Sequence, residues 1–212
     1  RVRCHLLCAW KCAILIPRRK AWIVAVQELL RLLQLLQWLM GFLGLVVLAM
    51  TLVSPAGARD LENTLYIELK DGRVVIELLP DVAPNHVARI KELARSKFYD
   101  GIIFHRVIPG FMAQTGDPLG KGFGGSGKNL KAEFNNTPFT RGTVGAARSQ
   151  SPDSADSQFF ICFADTPHLN GQYTVWGQVV EGMEHVDAIT PGEPPANPDK
   201  MITVRVAADV EE

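Results

Sequence analysis

The stretch Phe104–Asp117 reads FHRVIPGFMAQTGD. It carries most of two short runs that read as strands, Ile102–Val107 and Phe111–Gln114. Arg106 stands among apolar neighbours, and Phe111 and Met112 are followed closely by the polar Gln114. Taken singly, these residues have ordinary explanations: a lone Arg is commonly a surface or salt-bridged group, and a Phe/Met/Leu set is commonly core. The surrounding sequence has to decide.

Upstream, Leu65, Ile67 and Leu69 alternate with Tyr66, Glu68 and Lys70; after Asp71-Gly72, Val74, Ile76 and Leu78 alternate again. Two period-2 runs around Asp-Gly predict a β-hairpin, and Pro80 stops its second strand. Pro84–Ser96 reads as a helix, with Pro84 in the first turn where a missing N–H does no harm. Its apolar face is Val87, Ile90, Leu93 and Ala94, with Arg89, Lys91, Glu92 and Arg95 towards water. Downstream, Thr143–Ala147, Gln158–Ala164, Val175–Val180 and Ile202–Ala207 read as strands, and Met183–Ile189 as a second short helix between Gly182 and Pro191. Many short strands and two distant helices do not alternate as βαβ units. They predict a mainly antiparallel, closed or nearly closed sheet with helices packed at its ends.

Taken with the later run SQFFICFADTPHLNGQY (Ser157–Tyr173), FHRVIPGFMAQTGD closely resembles the cyclophilin family of peptidyl-prolyl isomerases. The resemblance spans roughly Leu65–Ala208, with a Gly-rich loop and VWGQVVEGMEHVD (Val175–Asp187) in the expected order. It implies a mainly β fold: a closed eight-stranded antiparallel barrel capped by two α-helices, here preceded by an apolar N-terminal helix. It also implies catalysis of X–Pro cis–trans isomerisation without metal or cofactor.

By the same resemblance, Arg106 is the catalytic arginine aimed at the prolyl nitrogen, and Gln114 holds Arg106 and the substrate carbonyl side in place. Phe111, Met112, Phe160 and Leu169 resemble the apolar pocket for the proline ring. Ala147 and Arg148 match the segment whose backbone pairs with the bound peptide, and His105 matches a family residue beside the arginine, read as structural or at most as lining the site. Two positions depart from the commonest pattern. His168 stands where many cyclophilins carry a tryptophan whose indole N–H helps bind cyclosporin, and Tyr173 where a histidine is common at the pocket edge. An active but comparatively cyclosporin-tolerant enzyme is the expectation, and Arg148 hints at a different preference beyond the proline.

Gly120–Lys128, GKGFGGSGK, formally satisfies G-x-G-x-x-G and nearly a P-loop. Both motifs need a preceding buried strand and a following helix. The next residues, Asn129–Asn136, show no apolar helical face, and Asn129 stands where a P-loop needs Ser or Thr. A surface loop whose glycines let the backbone turn back is the better reading.

The chain of 212 residues is 47% hydrophobic and has 22 Lys plus Arg against 22 Asp plus Glu. One ordinary domain plus an appendage fits that length, and the neutral balance excludes the basic footprint of a nucleic-acid binder. Between Arg31 and Arg59 lies an uncharged run of 27 residues, against the roughly 20 needed to cross a bilayer. Arg18-Arg19-Lys20 precede it and Ala56-Gly57-Ala58 end it, the order of a signal peptide cleaved after Ala58. Residues 1–58 are therefore read as a leader and 59–212 as the isomerase domain, exported to the periplasm or outside. An uncleaved membrane anchor is the competing reading, and Met40 opens a compact leader of its own that leaves residues 1–39 doubtful as coding sequence.

Cys4, Cys8 and Cys12 recur at helical spacing, but only His5 lies nearby to complete a metal set. Cys162 is the single cysteine after residue 58, so the domain forms no internal disulfide. The expected partners are unfolded proline-containing polypeptides, with the membrane touched only through the N-terminal segment and a monomer as the default. A peptide-binding or chaperone module that needs no turnover is the runner-up. The intact Arg106, Gln114 and Phe160 set favours the enzyme, since a mere binder could lose the arginine.

Overall fold

The computed structural model describes residues 26–38 and 59–210. The chain divides between Ala58 and Arg59, and each part is taken by itself. Residues 26–38 form helix α1, with its leucines exposed. Among the described residues no helix is long and apolar enough to cross a membrane. Arg18-Arg19-Lys20, Met40, the Ala56/Ala58 site and Cys4, Cys8 and Cys12 lie outside the described residues.

From Arg59 on, the predicted elements form, most with small shifts; the strand expected over Ile102–Val107 keeps only its end. The hairpin is β1 (Thr64–Leu69) and β2 (Gly72–Leu78). Leu69 pairs with Gly72, so the two-residue turn is Lys70-Asp71, one position earlier than the Asp-Gly signal suggests. Helix α2 is Pro84–Arg95, followed by β3 (Arg106–Ile108), β4 (Met112–Thr115), β5 (Thr143–Ala146) and β6 (Phe159–Cys162). Strand β7 (Val175–Glu181), helix α3 (Met183–Asp187) and β8 (Thr203–Val206) complete the order.

All eight strands join one antiparallel sheet in the order β3-β4-β6-β5-β7-β2-β1-β8. The expected closure does not occur: β3 and β8 are free edges, and the sheet is a curled half-barrel. The segment between α3 and β8 explains the gap. It contains Pro191, Pro194, Pro195 and Pro198, which lack the N–H a ladder needs. Only isolated bridges span the opening, Ile103 to Lys200 and Val107 to Gly192. For the same reason Ile102–His105 lies outside β3 and bonds instead to irregular backbone, Gly101 N–H to Met201 C=O and Phe104 N–H to Asp199 C=O.

Strand alternation separates two apolar clusters. Phe159 and Ile161 of β6 face the main core with Leu65, Ile67, Ile76, Trp176 and the α2 residues Val87, Ile90 and Leu93. Phe160 and Cys162 face the other way, into a smaller cluster with Met112, Phe139, Leu169 and Val175. Burial of that area from water is what drives both clusters together.

Helix α2 begins after Ala83, which offers no capping side chain. Glu133, 47 residues beyond His86, supplies the cap: its carboxylate accepts from the backbone N–H of Asn85 at 3.0 Å and of His86 at 2.9 Å, and bonds the His86 ring. Negative charge at a helix N-terminus is favoured by the helix dipole as well. Arg89, expected towards water, is instead 9% exposed. Its guanidinium donates to Ser126 and pairs with Glu92, so the helix grips the Gly-rich loop.

No helix follows that loop. Several of its N–H groups are already occupied by the chain's own carboxylates: Lys121 and Gly122, with Leu119 just before the loop, donate to Asp117, and Gly127 and Lys128 to Asp156. Donors committed in this way have no place for a phosphate.

Candidate active site

Register creates the site. Arg106 pairs with Gln114 across β3–β4, Gln114 with Phe160 across β4–β6, and Phe160 with Gly145 across β6–β5. Residues paired in this way share a face, so an arginine, an amide and an aromatic ring stand in one row at the ordinary strand spacing of about 4.8 Å. Gly145 is required at the end of the row. A Cβ there would lie 2.6 Å from both the Phe160 and the Phe139 rings, which stack with centroids 5.7 Å apart.

The row borders a cavity of about 150 Å³ lined by Arg106, Phe111, Met112, Gln114, Ala147, Arg148, Phe160, Leu169 and Tyr173. Pockets for drug-sized ligands run to roughly 300–1,000 Å³, so this one suits a single compact apolar group. Met112, Phe160 and Leu169 are buried, and Arg106 is half-buried at the rim. Tyr173 meets Phe160 edge-on at 5.7 Å. Nine of the eleven residues singled out from sequence thus come together.

The other two sit beside the cavity. His168 is exposed in the 3-10 turn Pro167–Leu169 and packs against Phe111 with ring centroids 5.6 Å apart. His105 faces a neighbouring cavity, shared with Arg106, Gly120, Lys121, Gly122 and Glu193. It is buried with neither ring nitrogen bonded, and burial lowers its pKa, with the Arg106 charge adding to the effect against Asp117. The imidazole is therefore neutral at pH 7.

The hydrogen bonds around the row differ from the expected pairing of Gln114 with Arg106. The Gln114 amide donates to Gln158 Oε1 at 2.9 Å, and the Gln158 amide donates to Gly124 C=O at 2.8 Å. Arg106 Nε donates instead to Glu193 Oε2 at 2.8 Å. Arg148 lies over the Tyr173 ring, 4.7 Å from its centroid, and donates to the carbonyls of Gln172, Ser149 and Gln150. A longer polar groove of about 310 Å³ continues past Gln114 along Gly122–Gly125, Ala147–Ser149 and Gln158.

Sequence reasoning missed Glu193, Gln158 and Asp117. Gln158 lies two residues before Phe160, the β6 partner of Gln114, and so shares the face of that row once the register is known. Glu193 carries no such signal, because it lies in an irregular segment 87 residues from its partner.

This fold and site belong to a known class. The model of the cyclophilin-type peptidyl-prolyl cis-trans isomerase family matches residues 64–207, and the chain belongs to that family. It is accordingly an enzyme of X–Pro isomerisation. Among its relatives, a probable peptidyl-prolyl cis-trans isomerase of Brucella suis is 54% identical over 181 residues, covering 77% of this chain and 92% of its own. Peptidyl-prolyl cis-trans isomerase B of Bacillus subtilis is 44% identical, over 62% of this chain and 93% of its own. Among solved structures, a Hirschia baltica cyclophilin superposes with TM-score 0.67 at 28% identity, over 72% of this chain and 76% of that one. A Cryptosporidium parvum cyclophilin-type isomerase, crystallised in the presence of the dipeptide Ala-Pro, gives TM-score 0.64 at 27% identity, over 68% and 98%.

Proposed function

We propose that the enzyme accelerates X–Pro rotation in unfolded exported polypeptides, with Arg106 as the donor to the prolyl nitrogen. Amide resonance sets a rotation barrier of about 18–20 kcal/mol. In X–Pro the two isomers differ by only about 0.5–1 kcal/mol, so lowering the barrier is the whole task. As the bond twists, the nitrogen lone pair leaves the carbonyl system and becomes a hydrogen-bond acceptor. A donor placed there stabilises the twisted state and not the planar one, which is what raises a rate. Neither nucleophile nor metal is needed for that chemistry.

One observation carries this reading: a guanidinium at the rim of a small apolar cavity, in strand register with Gln114 and Phe160. In it Phe111, Met112, Phe160 and Leu169 hold the proline ring, and the groove past Ala147 and Arg148 takes the chain beyond it. The Cryptosporidium isomerase was crystallised in the presence of the dipeptide Ala-Pro, whose proline ring is one compact apolar group. Exchange NMR on an Ala-Pro peptide tests it. Wild type is expected to speed cis–trans exchange, and Arg106→Ala to bind the peptide while losing the exchange; equal exchange rates would refute the role of Arg106.

The cyclosporin expectation follows from His168, an exposed imidazole against Phe111 where an indole donor is common in the family. Inhibition by cyclosporin is expected to require micromolar or higher concentrations, and His168→Trp to strengthen it at least tenfold. Nanomolar inhibition of the unaltered enzyme would overturn this. Export is supported by the order of cationic cluster, apolar run and Ala-x-Ala site before Arg59. A mature N-terminus at Arg59 in the exported fraction is the expected result, and an intact N-terminus in the membrane fraction would favour the anchor.

A further inference from the structure

The Arg106–Glu193 contact is the feature that the isomerase reading leaves unused. A guanidinium on three methylenes has many rotamers, so a catalytic arginine has to be held by something. Gln114, the neighbour across the strand, donates its amide N–H₂ to Gln158 and makes no hydrogen bond to Arg106. Among the described residues Glu193 is the one group hydrogen-bonded to the Arg106 side chain, and the bond uses Nε, so neither Nη group is spent on it, while Arg106 lines the cavity.

Glu193 is itself carried on a fixed arm. Val107 and Gly192 exchange two backbone hydrogen bonds, at 2.8 and 2.9 Å, which pins the arm one residue from each partner of the ion pair. Asp199 closes the arm's far end, accepting from the Thr190 N–H and hydroxyl at 2.8 Å and from Lys70. Gly192 permits the bend: its φ is +152°, and a Cβ would lie 2.5 Å from Pro195 Cα. The side chains of Arg106 and Glu193 are 39% and 52% exposed. An ion pair so open to solvent adds little to stability, so an arm built to deliver this carboxylate asks for another role.

We propose that Glu193 is a positioning residue for isomerisation: its carboxylate fixes the Arg106 guanidinium through Nε so that both Nη groups face the bound proline. This rests on the reading of Arg106 as the donor. The held plane removes rotamer freedom before the substrate arrives, so the gain falls on the twisted state and appears in kcat.

Glu193→Ala and Glu193→Gln in the full chain, each with Arg106 intact and with Arg106→Ala, test this by exchange NMR at varied peptide concentration. Glu193→Ala is expected to lower kcat roughly three- to tenfold with KM little changed, well short of the hundredfold that a 1 Å misplacement can cost. Glu193→Gln keeps an acceptor and should recover most of that loss. With Arg106→Ala already present, Glu193→Ala should change nothing further, and the Arg106 Nε–H resonance should move in Glu193→Ala at unchanged Tm. Unchanged or raised kcat in Glu193→Ala would overturn the proposal, as would an equal loss in both Arg106 backgrounds. Full activity of Arg106→Ala would instead remove the underlying assignment of the donor, so the two failures are distinguishable.

Discussion

Arg106→Lys is expected to lose isomerisation almost as fully as Arg106→Ala, with kcat/KM falling roughly 10²–10³-fold in both while the Ala-Pro peptide still binds. Removing one preorganised donor to a transition state commonly costs that much, about 2.7–4 kcal/mol. The lysine case separates charge from geometry. A guanidinium presents five donors in a fixed fork, so Nε can bond Glu193 while the Nη groups remain for the substrate. An ammonium is a single point of charge on a flexible stem. With the Glu193 carboxylate within reach it would settle there, leaving nothing aimed at the cavity. Binding is expected to persist because the proposed holders of the ring, Phe111, Met112, Phe160 and Leu169, line the cavity and neither substitution touches them. Activity in Arg106→Lys within threefold of wild type would show that positive charge suffices and the fork is irrelevant.

What the sequence revealed and what it hid follow from the range of the forces involved. The β1–β2 hairpin and helix α2 were legible because period-2 and period-3.6 patterns are local, and a residue's face can be read from its neighbours. The pocket residues were legible only through the family resemblance. Nothing in the spacing of Arg106, Gln114 and Phe160 reveals that they form one row; that is a matter of strand register, and Gln114 and Phe160 are paired across strands far apart in the sequence. The open edge was hidden for the opposite reason. Four prolines between Pro191 and Pro198 were visible, but only the topology shows that this segment lies where β3 and β8 would have to meet. The solvent-facing assignment of Arg89 failed because its partner Ser126 sits in a loop with no periodicity to read. Cross-chain carboxylates, Glu133 on α2 and Glu193 on Arg106, were likewise beyond local pattern, since a Glu in a loop looks the same whether or not it has a distant partner.

Asp117→Ala is expected to be the most destabilising single change around the site, by about 3 kcal/mol, or roughly 6–12 °C in Tm by calorimetry. The carboxylate is 1% exposed and accepts from the N–H groups of Leu119, Lys121 and Gly122. An unpaired buried donor costs roughly 1–3 kcal/mol, and the loop can rehydrate only part of them. Burial alone would raise the Asp117 pKa, but the surrounding backbone N–H groups outweigh it and hold the carboxyl below the usual range. A depressed native pKa means that the stabilisation is present above the unfolded value of about 3.9 and is lost as pH falls through the native one. Wild-type Tm should therefore drop below pH 4 more steeply than that of Asp117→Ala. Activity should fall as well, at temperatures where the variant stays folded. The loop that Asp117 organises presents Gly124 C=O to Gln158, and Gln158 in turn holds Gln114 beside Arg106. Asp117→Asn preserves the volume but turns an amide N–H₂ towards donors, so it should lose most of the stability without opening a void. Asp117→Ala with wild-type Tm and wild-type kcat would mean that the loop stands without its carboxylate, and the chain from Asp117 through Gly124 and Gln158 to Gln114 would carry no catalytic weight.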